Sequence, residues 1–401
     1  MRKVNCAARK STSLTSGLLA VLVWMICSPS MCRGTQVVAW GAGETVNLSD
    51  ENERGQSIVP ADLTNAVMVA AGWRHSLALR ADGTLEGWGD DSFGQTNFPP
   101  GSNYISVACG ELHSMALLSN GTVVVEGDFF YGQKLVPVNL SNVVSIASGF
   151  YHNLVLKSDG SLAAWGGVGS VNYGQGTVPN GISNIVAIAA GGYHDLVLKS
   201  DGTLFAWGLN DYGETNIPAG LSNIVAIAAG SAHNLALKAD GTVVAWGSNE
   251  RGETNVPVNL SNVVAIAAGG WHNLALRKDG TVVAWGAGSG SNPGIDYGQN
   301  VVPSGLTNVI QVAGGDFNSL DLVGSGPPVT RAPASQMSFG TNGFHFLLPT
   351  QNGRVYQLEH TDNLSDSAWQ TGTLTAGTGN NVWFADPSTT SSQRFYRVLR
   401  W

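Results

Sequence analysis

Six histidines, His75, His113, His152, His194, His233 and His272, recur 38, 39, 42, 39 and 39 residues apart, and Asn318 holds the seventh place in the series. Imidazoles gathered about one axis could make a metal ring, because neutral imidazole is the commonest protein metal ligand. Asp-Gly pairs at Asp159, Asp201 and Asp279 could likewise suggest calcium. Neither set brings the rest of its chemistry. No carboxylate accompanies the histidines at a fixed offset, and a feature copied in every unit of a repeat belongs to the scaffold. Each imidazole is therefore expected to hydrogen-bond backbone at the start of a strand, and each Asp to serve a turn. Outside the series stand only His345 and His360. Glu359 and His360 are adjacent, and neighbours in a strand point to opposite faces. No nucleophile elbow, phosphate loop or His-Glu-x-x-His occurs. The expectation is a non-enzymatic chain without metal or cofactor.

The four cysteines add little, since Cys6, Cys27 and Cys32 lie at the start and only Cys109 lies beyond. Basic Arg2, Lys3, Arg9 and Lys10 precede an apolar run over 17–27, too short to span a bilayer. That order predicts a signal peptide over 1–34, cleaved after Ser30 or Gly34, and a secreted, extracellular or periplasmic protein. Without it the chain keeps 15 basic and 28 acidic side chains. Such an acid excess argues against a nucleic-acid partner, and no membrane span remains. The 52 glycines follow no three-residue period, which excludes a collagen-like fibre. Asn-x-Ser/Thr triplets at Asn47, Asn120, Asn139 and Asn259 read as loop chemistry.

The elements that carry these residues repeat with them. Residues 267–286 and 228–247 are almost one sequence. In each copy a short β-branched run precedes the histidine, and His272-Asn-Leu-Ala-Leu-Arg alternates as a strand does. Asp279-Gly280 then predicts a two-residue type I′ hairpin, and Thr281-Val-Val-Ala-Trp285 returns as the next strand. Gly-[Gln/Glu]-x-x-x-Pro follows, at Gly55, Gly94, Gly132, Gly174, Gly213, Gly252 and Gly298, and its proline marks a loop or outer edge. No segment keeps a helical period, so the chain is all-β.

The repeat array opens on a lone last strand, Val37–Gly41, and closes on Val309–Leu322, which lacks one. The two pieces complete one unit, which predicts a seven-bladed β-propeller over 35–323, closed by its N- and C-terminal repeat strands. A closed ring removes the exposed sheet edges of an open stack.

Ala-Ala-Gly-x-x-His-[Asn/Ser]-Leu-Ala-Leu followed by Asp-Gly-Thr-Val-x-Ala-Trp-Gly resembles the repeat of the regulator of chromosome condensation (RCC1) superfamily. The short period and the Gly-Gln-Thr-x-x-Val-Pro tail resemble its secreted bacterial branch, which includes β-lactamase inhibitory protein II. The resemblance covers about 36–323. It implies a seven-bladed propeller and a protein partner held by loop aromatics, here Trp73, Phe150, Tyr151, Tyr193, Trp271 and Phe317. Leu112 and Ala232 depart from that aromatic pattern.

Residues 324–333, rich in Gly and Pro, read as a linker. Residues 334–401 predict a small β-sandwich with strands at 338–348, 355–359, 382–385 and 395–399.

What varies between repeats carries recognition. The two positions before each histidine include Trp73, Arg74, Phe150, Tyr151, Tyr193, Trp271 and Phe317; the position before Gly-[Gln/Glu] includes Phe93, Tyr131 and Tyr212. Both sets fall in loops, and aromatic and arginine side chains dominate interface energetics. Trp73, Tyr151, Tyr193, Trp271 and Phe317 are expected to be exposed, because the same slots accept Glu111 and Ala232. The leading expectation is a secreted binding propeller that grips a protein through one face, in its extreme form a β-lactamase inhibitor. A glycan-binding or cell-surface module is the alternative, since aromatic rings stack on sugars. Guanine-nucleotide exchange and hydrolytic readings rank below both.

Overall fold

In a computed structural model, the described residues are 35–47, 49–287, 296–324, 335–340, 343–351, 354–362, 369–387 and 395–401. The signal-peptide reading for 1–34 and most of the linker reading for 324–333 fall outside them. Among the described residues no helix is long and apolar enough to cross a membrane.

The first strand is β1 (Gln36–Gly41). Each repeat then adds three. They are β2 (Ala66–Ala71), β3 (His75–Arg80) and β4 (Leu85–Gly89), then β5 (Tyr104–Cys109), β6 (His113–Leu118) and β7 (Val123–Gly127). Next come β8 (Val143–Ser148), β9 (His152–Lys157) and β10 (Leu162–Gly166), with β11 (Ile185–Ala190), β12 (His194–Lys199) and β13 (Leu204–Gly208). The last complete repeats hold β14 (Ile224–Ala229), β15 (His233–Lys238), β16 (Val243–Gly247), β17 (Val263–Ala268), β18 (His272–Arg277) and β19 (Val282–Gly286). The closing pair is β20 (Val309–Gly314) and β21 (Asn318–Val323).

Every triplet forms an antiparallel three-stranded sheet with the histidine strand in the middle, and β1 joins β21 and β20 to make a seventh. Gln36 pairs with Val323 and Gly41 with Asn318, so the two ends of the array complete one sheet. Neighbouring inner strands β2, β5, β8, β11, β14, β17 and β20 touch in sequence, and β20 touches β2. The ring is closed. The middle strands explain the packing: Leu235, Ala236 and Leu237 are fully buried because sheets cover both of their faces. Each inner strand carries a bulge after its first residue, as between Ile224 and Ala226, which raises the local twist that a radial arrangement needs.

One turn differs from the two-residue expectation. Gly160 N–H donates to Lys157 O at 2.9 Å, and among the turn residues Gly160 alone has a positive φ, of 80°. The loop therefore has three residues, a type I turn followed by a left-handed glycine. The Asp159 carboxylate accepts from Ser161 N–H at 2.9 Å and Ser161 Oγ at 2.6 Å, which holds the turn. The same clasp recurs at Asp82, Asp201, Asp240 and Asp279.

Beyond the ring lie β22 (Ser335–Gly340), β23 (Gly343–Pro349), β24 (Val355–Thr361), β25 (Gln370–Ala376), β26 (Asn381–Asp386) and β27 (Phe395–Arg400). They form two three-stranded sheets, in the orders β22-β23-β26 and β25-β24-β27. Phe344, Phe346, Tyr356, Leu358, Phe384 and Tyr396 share one core drawn from both. The single strand expected over 338–348 is two, β22 and β23, with Gly340 paired to Gly343. β25 escapes a reading by pattern, because Gln-Thr-Gly-Thr-Leu-Thr-Ala holds little apolar alternation.

Candidate binding face around the channel

The histidines are fully buried and lie between sheets. Each Nε2 faces the side chain that follows the next sheet's histidine position: His113 to Asn153 at 3.0 Å, His194 to Asn234 at 2.9 Å and His233 to Asn273 at 2.8 Å. His75 and His272 meet Ser114 and Ser319, His152 meets Asp195 at 3.0 Å, and Asn318 donates to Ser76. Seven bonds encircle the ring. The expected partner was backbone; the observed one is a side chain of the neighbouring sheet, since the imidazole points across the gap. Asn153, Asn234 and Asn273 in turn donate to the carbonyls of Gln133, Glu214 and Glu253, which also accept the indole N–H of Trp165, Trp246 and Trp285. The Gly-[Gln/Glu] motif thus clasps each loop from within. Burial holds His113, His194 and His233 down to about 4 and His75 and His272 to about 3, so these five imidazoles are neutral. Among the described residues no group of three or more His, Cys, Asp or Glu could hold a metal.

Inside this ring the loops close on glycine. A Cβ on Gly149 would lie 2.3 Å from Gly191 O, one on Gly230 2.4 Å from Gly269 O, and one on Gly315 2.4 Å from Gly72 O. Only glycine fits there. The channel so formed is narrow, about 80 Å³, and its lining includes Phe150, Ser231 and Asp316 at its mouth.

Two faces surround the channel, and they are unequal. At the Asp-Gly turns the C-terminal sheets are docked. Leu374 N–H donates to Ala239 O at 3.1 Å, and buried Glu359 accepts from Lys278 of the ring and from Arg397 of its own sheet. Leu374, Leu399 and Trp401 join the core of Leu237, Val263 and Leu276. A cavity of about 780 Å³ remains between this docked unit, at Thr350, Gln351 and Arg354, and ring residues Ile105, Asn120 and Gln311.

The histidine end carries the aromatics. Tyr131 and Tyr151 lie 4.7 Å apart, Tyr151 and Tyr193 5.8 Å, Phe150 and Tyr193 5.6 Å, and Tyr173 and Tyr193 5.3 Å between ring centroids. Five rings from adjacent repeats make one patch. Arg74 lies 3.4 Å over the Trp73 ring and pairs with Glu51 at 3.1 Å, while the Trp73 indole donates to Asn52.

The expected exposures need correction. Trp73, Tyr151, Tyr193 and Trp271 are half-buried, and Phe317 is only 8% exposed because it packs on Tyr297. Before Gly-[Gln/Glu], Phe93, Tyr173 and Tyr212 are the exposed ones. Phe93 and Tyr212 lie apart from the aromatic patch, with no ring contact between them and it among the described residues.

Sequence reasoning missed Phe129 and Phe130, stacked at 5.1 Å and more than half exposed. Their signal was legible: other repeats place polar residues there, such as Asp91-Ser92 and Asn249-Glu250. Also missed as binding residues were Glu111, whose N–H donates to Phe150 O at 3.4 Å, and Asp316, which lines the channel. Burial and the Tyr151 hydroxyl's neighbour Glu111 push Tyr151 upward, and burial raises Glu111.

A closed ring of small antiparallel sheets about a narrow axial channel defines a β-propeller. Segments 67–95, 104–133, 143–175, 185–214, 224–253 and 263–299 each match the regulator of chromosome condensation (RCC1) repeat, so the propeller is built from RCC1-like repeats. Among solved structures, Prp20p of Saccharomyces cerevisiae is similar at 22% identity over 73% of this chain and 93% of that one, with a TM-score of 0.58. That structure was described together with binding of Prp20p to Gsp1p and histones. Yeast RCC1 (Prp20) bound by Kap60 gives 22% identity, 81% and 96% coverage and a TM-score of 0.58. Human WBSCR16 gives 20%, 73% and 99%, and 0.54. Comparison with curated proteins gives no match.

Proposed function

We propose that this chain is a secreted, non-enzymatic binding protein. Its seven sheets are the blades of a propeller and its two C-terminal sheets a small sandwich, and it holds a protein partner on the histidine-end face. The single observation that carries the reading is the inequality of the two faces. One is occupied by the chain's own C-terminal sheets, and the other presents five clustered rings with Trp73, Trp271 and Arg74 around the channel. Large amphipathic rings bury area at low entropy cost and keep a polar tip, the composition of an interface centre. The fold relatives support a protein rather than a glycan, in that Prp20p is described with protein partners.

The test is capture of proteins from a culture medium by the chain and by a variant with Trp73, Tyr193 and Trp271 all changed to alanine. A protein enriched by the first bait and lost from the second supports this face. Equal recovery overturns it and turns attention to glycans, tested by retention on polysaccharide.

A further inference from the structure

We infer that the channel mouth on this face receives an arginine side chain of the partner, held between the aromatic rings and the carboxylates of Glu111 and Asp316. This rests on the protein-binding reading above and names the chemistry of the group it takes.

Three observations converge on it. The first is an aromatic wall: Phe150 lines the channel and packs edge-on against Tyr193 at 5.6 Å, with Tyr151 beside both. Such a wall attracts a cation through the ring faces, and a planar guanidinium stacks there better than an ammonium does. Second, Asp316 lines the opening and Glu111 adjoins it, its N–H donating to Phe150 O at 3.4 Å, and neither acid has an ion-pair partner among the described residues. Burial and then repulsion by Glu111 push Asp316 up to about 8, the partial relief from Arg74 not offsetting them, so Asp316 holds its proton near neutral pH and becomes the carboxylate as a cation enters. Arg74 is committed elsewhere, over Trp73 and against Glu51. Third, the Ser231 hydroxyl lines the opening with its oxygen fully buried and without a hydrogen-bond partner. A donor-rich group entering from solvent would satisfy all three sets of acceptors, since guanidinium carries five N–H donors in a planar fork. The opening is small, about 80 Å³, which suits the end of one side chain rather than a folded segment.

The test uses the full chain and three blocked peptides, acetyl-Ala-X-Ala-amide with X as arginine, lysine or citrulline, titrated by ligand-detected NMR. The arginine peptide is expected to bind, with citrulline at least tenfold weaker because it keeps the shape and loses the charge. Lysine should fall between them. Glu111→Gln and Asp316→Asn should each weaken arginine binding at least threefold, with melting temperatures no lower than that of the unaltered chain. Equal binding of arginine and citrulline, or wild-type affinity in both variants, would overturn the inference. Lysine binding as tightly as arginine would overturn it too, by removing the role of stacking. If the arginine peptide fails to bind while the triple alanine bait still loses its captured protein, this inference falls and the protein-binding reading stands.

Discussion

At the scale of single residues, Asp321 is the exception to the repeat. It stands where other middle strands place Ala78, Ala116, Ala236 or Ala275, and it is fully buried with both carboxylate oxygens unpartnered. Burial pushes it up to about 8. A folded pKa above the unfolded value of about 3.9 means that the folded state holds the proton through that window, so this group's stability is present below about 4 and lost as pH rises through 8. Asp321→Ala should therefore stabilise the chain by about 1–3 kcal/mol at pH 8, the cost of an unsatisfied buried polar group. The gain should shrink as pH falls toward 4. Chemical denaturation of both proteins at several pH values checks this, and a pH-independent difference would contradict it. The histidines act with the opposite sign. For His75, His113, His194, His233 and His272 the folded pKa values are depressed, so their contribution is present above about 6.5 and lost as pH falls toward about 4 to 3. Melting temperature in the Asp321→Ala background should drop steeply below pH 6.5, whereas a flat profile down to pH 4 would remove the neutral imidazole ring from the account of stability.

At the scale of elements, each sheet is joined to the next by two concentric rings, one of side chains and one of glycine backbone. Each is made of contacts that no isolated sheet could form. Gly149 shows how tight the inner ring is, because an added Cβ would lie 2.2 Å from His152 Cε1 and 2.3 Å from Gly191 O. Gly149→Ala must shift backbone on both sides and should cost about 2–3 kcal/mol, the range of core overpacking. Gly101→Ala is the control, since the nearest atom to its added Cβ is Tyr104 Cε2 at 3.9 Å. Equal melting temperatures for the two variants would contradict a close-packed channel.

At the scale of the whole molecule, the propeller and its C-terminal sheets are joined by an ion pair and a shared apolar core on one face. Lys278 bridges from the ring to Glu359, which is 2% exposed and keeps Arg397 as its second partner. Lys278→Ala removes one cation from a buried acid, a costly change that the remaining Arg397 softens. Opening of the docked unit should become about tenfold more frequent, roughly 1.4 kcal/mol. Hydrogen exchange of the Leu374 amide, which donates to Ala239 O, reads it directly. Protection of β9 amides should be unchanged, because that strand belongs to the ring alone. Unaltered exchange at Leu374 would show that the apolar core of Leu374, Leu399 and Trp401 holds the unit without the ion pair.

Much of this molecule is written in its order of residues. The period of about 39, the alternating runs, the Asp-Gly turns and the split seventh unit follow from local rules, because strands and hairpins are encoded by neighbours in sequence. Phe150, Tyr151 and Tyr193 were legible as candidates because they occupy variable loop slots beside an invariant frame. Other features were decided by the tertiary structure. The histidines' partners lie about 40 positions away, as His233 to Asn273 does, and only the packing of sheet on sheet brings them together. Burial of Phe317 depends on its packing against Tyr297, 20 positions away in sequence. Glu111 and Asp316 belong to the second and the last repeats, and their charges act on one another only because the ring closes. Which face the C-terminal sheets cover was settled likewise, by their docking on the Asp-Gly turns through contacts such as Lys278 with Glu359.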